Sequence, residues 1–170
     1  MESRIYLIGY MGCGKSTIGK FVAEKIGYTF LDLDGFIEEK YHKKVAEIFN
    51  EFGQDRFREI ERAALMEVSS FEKVIVATGG GAPCFFDNME VMNKTGLTIY
   101  MFMTVDQLAA RLENSRPGKR PLIEGKTGAE LRQFVLDGLG ARAPFYSQAS
   151  RKVEGSDEEI ADKVYEAIMN

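Results

Sequence analysis

Eight consecutive residues near the start of the chain have the spacing of a phosphate-binding loop. The run from Gly9 to Ser16 reads Gly-Tyr-Met-Gly-Cys-Gly-Lys-Ser and fits G-x-x-x-x-G-K-[ST] at every fixed position. Glycines allow the backbone N–H groups to point at phosphate oxygens, and Lys15 is expected to reach the β- and γ-phosphates of a nucleotide. The Ser16 hydroxyl is expected to ligate Mg²⁺. The alternative is a glycine-rich turn that binds no ligand.

Two carboxylates, Asp32 and Asp34, end the next predicted strand. Residues two apart on a strand point the same way, and parallel sheets hold their ligands at the carboxyl ends of their strands. One carboxylate can then hold Mg²⁺ through water, while the other accepts a hydrogen bond or a proton from an attacking hydroxyl. The alternative is an ordinary acidic cap between strand and helix, because aspartate is a favoured N-cap residue.

Arginines and a second glycine run are candidates for binding an anionic acceptor. Arg58 and Glu61 lie one turn apart on a predicted helix, either as a solvated ion pair or as a carboxylate that holds an arginine ready for an acid. The three glycines 79–81 suit a backbone that a ligand approaches closely, although a plain tight turn has the same composition. Arg116, Lys119 and Arg120 crowd a predicted loop, where arginines either neutralise charge as phosphate is transferred or belong to a solvated basic loop. Arg142 lies late in a predicted helix.

Short apolar strands that alternate with helices are predicted to position these residues. Strands are predicted at 5–8, 28–33, 74–77 and 97–103, with a short edge strand at 152–153. Helices are predicted from the phosphate loop to Gly27 and at 35–41, 45–69 with a break near Gly53, 105–112, 128–149 and 156–169. This alternation predicts a parallel sheet covered by helices on both faces. The stretch 114–126 is predicted to be a loop and a candidate lid.

Composition favours one globular domain. The chain has 170 residues, of which 45% are hydrophobic, and a net charge of −4. One core is therefore expected, and a nucleic-acid binder is disfavoured because such proteins carry a basic excess. We expect no membrane segment and no signal peptide, since neither kind of apolar run is present. Two cysteines do not make a disulfide framework, so a reducing compartment, the cytoplasm, is expected.

Taken together, these residues resemble the shikimate kinase family of the nucleoside-monophosphate-kinase-like P-loop group. The likeness covers nearly the whole chain and rests on six segments: Gly-Tyr-Met-Gly-Cys-Gly-Lys-Ser-Thr at 9–17, Asp-Leu-Asp at 32–34, Phe-Arg-Glu-Ile-Glu at 57–61, Gly-Gly-Gly at 79–81, Arg-Pro-Leu at 120–122 and Arg-Ala-Pro-Phe-Tyr at 142–146. Many enzymes share the first segment, whereas the other five in this order are far more selective.

The resemblance implies a three-layer α/β P-loop fold with a five-stranded parallel sheet in the order 2-3-1-4-5 and helices on both faces. It implies a single P-loop kinase domain at 1–170, with a substrate-binding segment at 35–62 and a lid at 113–126. Phe49 and Phe57 match aromatic positions that line the family's pocket. Arg111 and Arg116 both match the arginine that stacks on adenine, and no proline follows Pro144 to complete that stack.

The resemblance also implies a role for each site residue. The ATP-binding set is Gly12, Cys13, Gly14, Lys15, Ser16, Thr17, Arg116 and Arg120. The shikimate-binding set is Asp34, Arg58, Gly79, Gly80, Gly81 and Arg142, with Arg58 and Arg142 on the carboxylate and Asp34 on ring hydroxyls. The catalytic set is Asp34 as base with Lys15 and Arg120. The Mg²⁺ ligands are Ser16 and Asp32, the latter through water.

The activity implied by the resemblance is ATP-dependent phosphorylation of the 3-hydroxyl of shikimate in aromatic amino acid biosynthesis. The expected partners are ATP and shikimate, with no nucleic acid and no membrane, and the expected state is a cytoplasmic monomer. The nearest alternative is another small-molecule kinase, such as gluconate kinase. An alternative from a different class is a P-loop module that binds ATP without turnover, which the presence of Asp34 and the acceptor-side arginines disfavours.

Overall fold

Five short strands form one parallel sheet. A computed structural model describes residues 1–115 and 120–170 of the chain. The strands are β1 (Arg4–Ile8), β2 (Thr29–Asp32), β3 (Val74–Ala77), β4 (Leu97–Met101) and β5 (Arg151–Val153). Their order is β2-β3-β1-β4-β5, and all four neighbouring pairs are parallel. The predicted order 2-3-1-4-5 and the predicted edge strand near the C-terminus are both confirmed.

Helices connect the strands and cover the sheet. Within the described residues they are α1 (Lys15–Ile26), α2 (Leu33–Tyr41), α3 (Val45–Val68), α4 (Asn88–Thr95), α5 (Val105–Glu113), α6 (Gly128–Tyr146) and α7 (Ile160–Met169). Two short 3₁₀ helices, Ala82–Cys84 and Pro121–Ile123, lie in the connections. Over the same residues, every helix is too short or too polar to serve as a membrane span.

The central strand is buried on both sides. Four successive residues of β1, Ile5 to Ile8, are each 0% exposed. Because successive strand residues point to opposite faces, a run without exposed positions requires cover on both faces, as parallel sheets have. Helix α1 packs against β2, β3 and α7, while α4 packs against β4 and α3. The methionines predicted to fill the core, Met101 and Met103, are buried.

Two predicted helix features are confirmed by the backbone. Helix α1 ends at Gly27, which has a left-handed φ of 72° and donates its N–H to carbonyls of the last turn. Helix α3 is kinked at Gly53, where φ is 83° and ψ is 171°. A residue with a Cβ adopts this conformation only at a steric cost, so glycine marks the kink.

Several predicted boundaries are wrong, and one helix was missed. Strand β2 ends at Asp32 rather than at 33, β4 ends at Met101, α6 ends at Tyr146, and α7 begins only at Ile160. Helix α4 follows the glycine run, where Pro83 and a string of polar residues conceal its pattern. Only Met89 and Met92, three residues apart and both buried, signal that helix.

Candidate active site

The carboxyl ends of β1, β2 and β3 meet at one edge of the sheet. Leu7 pairs with Ala77, and Asp32 pairs with the same Ala77 from the other side. The residues that follow these strands are therefore neighbours in space, although they lie far apart in the chain. This edge gathers the phosphate loop, the two aspartates and the glycine run, as expected for a ligand site in a parallel sheet.

The phosphate loop runs from the end of β1 into α1. Gly9, Gly12 and Gly14 have φ of 150°, 83° and 92°, conformations that only glycine adopts at little cost. The first turn of α1 contains no acidic residue, so the positive end of the helix dipole remains available to an anion. The loop therefore has the backbone that the motif predicts for binding a phosphate chain.

Lys15 is buried within the loop. Its Nζ donates to the carbonyl oxygens of Gly9, at 2.6 Å, and Tyr10, at 3.1 Å. These contacts hold the ammonium group on the inner side of the loop. Cys13 is buried with its Sγ 3.7 Å from Nζ. The thiol fills space in the loop, as the sequence predicts.

Ser16 and Asp32 bring two oxygen ligands together. The Ser16 hydroxyl donates to Asp32 Oδ2 at 2.8 Å, while Asp32 Oδ1 accepts from the backbone N–H of Gly35 at 3.0 Å. Asp32 is therefore the N-cap of α2 as well as the partner of the predicted metal ligand. Among the described residues no cluster of three His, Cys, Asp or Glu side chains is present. Mg²⁺ needs none, because it is usually held by one or two carboxylates together with water and phosphate.

Asp34 lies in the first turn of α2, and the prediction that it continues the strand is wrong. The cap formed by Asp32 ends the strand, so a helical turn rather than strand alternation sets the direction of Asp34. A Cβ added at Gly79 would lie 3.2 Å from Asp34 Oδ1 and 3.3 Å from Glu61 Oε2. The absence of a side chain at Gly79 thus lets two carboxylates from different helices approach the same backbone.

The pKa of Asp34 is raised from 3.8 to about 6, mainly by burial and to a smaller extent by the neighbouring charge of Asp32. The ammonium group of Lys15 and the guanidinium of Arg58 act in the opposite direction. A carboxylate with a pKa just below neutrality is ionised at pH 7 and still basic enough to accept a proton. Asp34 therefore has the environment of a general base.

Arg58 forms a buried ion pair, not the solvated pair that its spacing also allowed. Its Nη1 donates to Glu61 Oε1 at 2.8 Å, and the two side chains are 13% and 1% exposed. Burial raises the pKa of Glu61 to about 7, although Arg58 opposes that shift. Within the described part of the chain, Arg58 Nε is buried without a hydrogen-bond partner. A buried donor with no partner is costly to folding, and such groups in native proteins call for an explanation such as a functional site.

Aromatic rings and a glycine frame the Arg58 guanidinium. Its carbon lies 5.9 Å from the ring centre of Phe49, 5.2 Å from Phe57 and 4.2 Å from Phe85. A Cβ at Gly81 would lie only 2.6 Å from Arg58 Nη2. Phe49 and Phe57 were expected in the pocket, whereas Phe85 was missed. Phe85 follows the glycine run within an irregular segment, and no sequence pattern predicts its contact with an arginine on α3.

Arg142 approaches the same place from α6. Its guanidinium carbon lies 5.1 Å from the ring centre of Tyr10. Burial raises the pKa of the Cys84 thiol, while the charges of Arg142 and Arg58 both lower it. Both arginines therefore lie close enough to this thiol to affect its pKa. On the same helix, the Tyr146 hydroxyl donates to Gly80 O at 2.5 Å and anchors the glycine run. Sequence reasoning assigned no role to Tyr10, Cys84 or Tyr146.

Three further arginines were predicted to contact the nucleotide. Arg120 is half-buried just before the 3₁₀ helix Pro121–Ile123, and burial lowers its pKa. Arg116 lies outside the described residues, as does part of the predicted lid. Arg111, the other candidate for adenine stacking, donates to Gly12 O at 3.3 Å and forms an ion pair with Asp157. The roles of these three arginines stay predictions.

Comparison with known proteins agrees with this geometry. A family model described as shikimate kinase matches residues 11–170. A shikimate kinase from Parabacteroides distasonis is 53% identical over 147 residues, which cover 86% of this chain and 84% of the relative.

Two solved structures share the whole architecture. The shikimate kinase of Bacteroides thetaiotaomicron superposes with a TM-score of 0.93 at 44% identity and 99% coverage of both chains. The Acinetobacter baumannii shikimate kinase in complex with shikimate gives a TM-score of 0.88 at 32% identity, covering 99% of this chain and 94% of that one. With the site geometry, these matches show that the chain belongs to the shikimate kinase family.

Proposed function

We propose that this chain transfers the γ-phosphoryl group of ATP to the 3-hydroxyl of shikimate, giving shikimate 3-phosphate and ADP in aromatic amino acid biosynthesis. The observation that carries the proposal is the arginine fork of Arg58. It is held by the buried Glu61 and framed by aromatic rings, on the same sheet edge as a complete phosphate loop. A fixed, planar guanidinium beside a phosphate-transfer site suits an acceptor that carries a carboxylate.

The nucleotide occupies the phosphate loop. Backbone N–H groups of 12–17 and the positive end of α1 hold its phosphates, and Lys15 leaves the Gly9 and Tyr10 carbonyls to contact the β- and γ-phosphates. Arg120, from the lid side, neutralises the charge on the transferred group. Arg111 or Arg116 contacts the adenine.

Ser16 and Asp32 fit a magnesium ion. Both offer hard oxygen ligands and lie in hydrogen-bond contact beside the loop, and Mg²⁺ accepts such a pair when water and phosphates complete its shell. When bound, the ion neutralises phosphate charge and holds the phosphates in position. Asp32 remains fixed by its bond to Gly35 N–H, so it is prepared for this role.

The acceptor lies between the aspartate and the two arginines. Arg58 and Arg142 bind its carboxylate, while Asp34 and backbone groups of the glycine run at 79–81 bind its ring hydroxyls. Asp34 accepts the proton of the 3-hydroxyl as the oxygen attacks the γ-phosphorus. The bond from that phosphorus to the bridging oxygen breaks, and ADP leaves. Positioning and cationic stabilisation therefore provide most of the catalysis.

The same proposal covers the organisation of the chain. Residues 1–170 act as one kinase domain and as a monomer, 35–62 form the acceptor-binding segment, and 113–126 form the lid. Helix α2 and the kinked α3 lie within or overlap that acceptor segment and supply Asp34, Arg58 and Glu61. Both cysteines are free, which supports a reducing compartment such as the cytoplasm.

A coupled assay of ADP release tests the proposal. Shikimate, gluconate, a nucleoside monophosphate and no acceptor are compared, and the phosphorylated product is identified by ³¹P NMR. Of the three acceptors, only shikimate is expected to increase ADP release above the rate without acceptor. Release with gluconate, or at the same rate without acceptor, would reject the proposal. The Lys15→Met variant is the control that assigns any release to this chain.

A further inference from the structure

Tyr10 connects the phosphate loop to the acceptor side of the site. Its backbone carbonyl accepts a hydrogen bond from Lys15 Nζ at 3.1 Å, and its ring lies under the guanidinium of Arg142. The side chain is 1% exposed. One residue therefore contacts both the cation that must move to bind nucleotide phosphates and a cation that is proposed to bind the acceptor.

The ring is held tightly by α6. A Cβ added at Gly138 would lie 2.6 Å from Tyr10 Oη and 3.1 Å from its Cε2. Gly138 and Arg142 are four residues apart on α6, so they lie on the same face of the helix. The ring consequently fits against the backbone at Gly138 while Arg142 lies over its face.

The Tyr10 hydroxyl contributes little to this contact. It is buried, and it finds no hydrogen-bond partner among residues 1–115 and 120–170. An unpaired buried hydroxyl opposes folding, so the aromatic ring is the part of Tyr10 that stabilises the arrangement. Phenylalanine at this position should therefore retain the contact with Arg142, whereas an aliphatic side chain should lose it.

We propose that Tyr10 is a positioning residue that couples nucleotide binding at the phosphate loop to the placement of Arg142. The inference rests on the proposed function, because it requires Arg142 to bind the acceptor's carboxylate. When Lys15 exchanges the Gly9 and Tyr10 carbonyls for phosphate oxygens, the loop settles around the nucleotide. The Tyr10 ring shifts with the loop and carries Arg142 with it, so the acceptor meets an arginine that is already placed for its carboxylate.

The coupling is measured by calorimetric titration of shikimate into the protein with and without ADP. We expect ADP to tighten shikimate binding about 5- to 20-fold, and shikimate to tighten ADP binding by the same factor because coupling is reciprocal. Tyr10→Phe should keep this factor. Tyr10→Leu should reduce it to less than about twofold in both directions, while the affinity for ADP alone and the affinity for shikimate alone stay almost unchanged.

Two further variants separate positioning from simple packing. Tyr6→Leu removes an equally buried ring from β1, whose hydroxyl is bonded to Thr95 near the opposite end of the sheet; it should lower the Tm and leave the coupling intact. Gly138→Ala should displace the Tyr10 ring and abolish the coupling without creating a cavity in the core. Adding Tyr10→Phe to Gly138→Ala should restore part of the coupling, because it removes Tyr10 Oη, the atom nearest to the added methyl group. This pair also serves if Tyr10→Leu does not fold.

The outcomes are distinguishable from a failure of the proposed function. If the wild-type chain phosphorylates shikimate but ADP leaves shikimate affinity unchanged, the inference is overturned and the function stands. Retention of the full coupling in Tyr10→Leu, or its loss in Tyr6→Leu as well, also overturns it. If wild-type protein releases no ADP with shikimate, the function itself is wrong.

Discussion

The phosphate loop and the acceptor side of the site are built in different ways. The loop is one continuous segment, residues 9–16, whose glycines and lysine act through backbone geometry that is local in sequence. The acceptor side is assembled from α2, α3, the glycine run and α6, with Asp34 and Arg142 more than a hundred residues apart. A local motif specifies the first part, whereas the second exists only once the sheet and its helices have packed.

This difference separates the expected consequences of mutation. Changes in the loop should damage phosphate transfer whatever the acceptor, because the nucleotide is common to the whole P-loop class. Changes on the acceptor side should alter affinity for the acid or the proton transfer, and should spare the nucleotide. Each prediction below tests that division.

The largest effect is expected from Lys15→Met. Removing the only loop cation that can reach the β- and γ-phosphates should cost about 3 kcal/mol or more of transition-state stabilisation, which corresponds to at least about 100-fold in kcat. Shikimate binding to the nucleotide-free variant, measured by calorimetry, should stay within about twofold of wild type. Near-normal turnover would remove the lysine from phosphate transfer, and lost acceptor binding would break the division between the two regions.

Asp34→Asn should lower kcat about 100-fold or more while the acceptor KM changes little, because asparagine retains the shape but cannot accept the proton. The rate is measured by ADP release across pH 6–9 with both substrates saturating. A variant as active as wild type throughout that range would rule out Asp34 as the base.

Arg58→Lys should raise the acceptor KM about tenfold, because lysine cannot reproduce the planar fork of a guanidinium. The ATP KM should be unchanged. Arg62→Lys is the matched control: Arg62 lies one turn further along α3 but pairs with Asp87 and Asn88. Equal shifts in the two variants, or an increase in the ATP KM, would indicate damage to the helix rather than loss of an acceptor contact.

The smallest effect concerns stability. The pKa of Asp34 is raised from 3.8 to about 6 in the folded protein, so the folded state binds this proton more tightly than the unfolded state. The ionised carboxylate therefore opposes folding, and its contribution to stability falls as pH rises from 3.8 through about 6. Asp34→Asn lacks this cost, and its stability relative to wild type should increase by about 2 kcal/mol between pH 4 and pH 8.

That stability difference is measured by urea unfolding of both proteins in metal-free buffer with EDTA. A difference that does not change with pH would mean that Asp34 is ionised as easily in the folded chain as in the unfolded one. If Asp34→Asn is both slower and more stable than wild type, the ionised Asp34 carboxylate is retained for catalysis at a cost to stability.

Much of the fold could be predicted because its signals are local. Apolar runs marked β1 and β3 at their observed positions, Gly27 and Gly53 marked a helix end and a kink, and the alternation of elements indicated a parallel sheet. Helix α4 was missed because a short polar helix that packs by two methionines has almost no periodic signal. The prediction that Asp34 belongs to a strand was wrong because Asp32 caps α2 and ends the strand before Asp34. The pattern of a single sequence does not show whether the strand continues or the helix begins at this point.

The acceptor side was predicted in its residues but not in its physical state. The spacing of Arg58 and Glu61 allowed an ion pair, yet only packing shows that Glu61 is buried and that Phe85 covers the arginine. Likewise, nothing in the loop motif distinguishes Tyr10 from any other variable position until α6 brings Gly138 and Arg142 against it. Contacts between distant segments carry this information, and a single sequence does not display them.

Arg58 and Arg142 are proposed to form a site for the carboxylate of a small acid beside a nucleotide. The most direct test compares calorimetric titrations of shikimate and shikimate methyl ester into nucleotide-free protein, since the ester keeps the ring and its hydroxyls but has no charge. We predict that the acid binds roughly 10- to 100-fold more tightly than the ester, the size expected for hydrogen bonds to a charged group. Equal affinity for the two compounds would contradict the account.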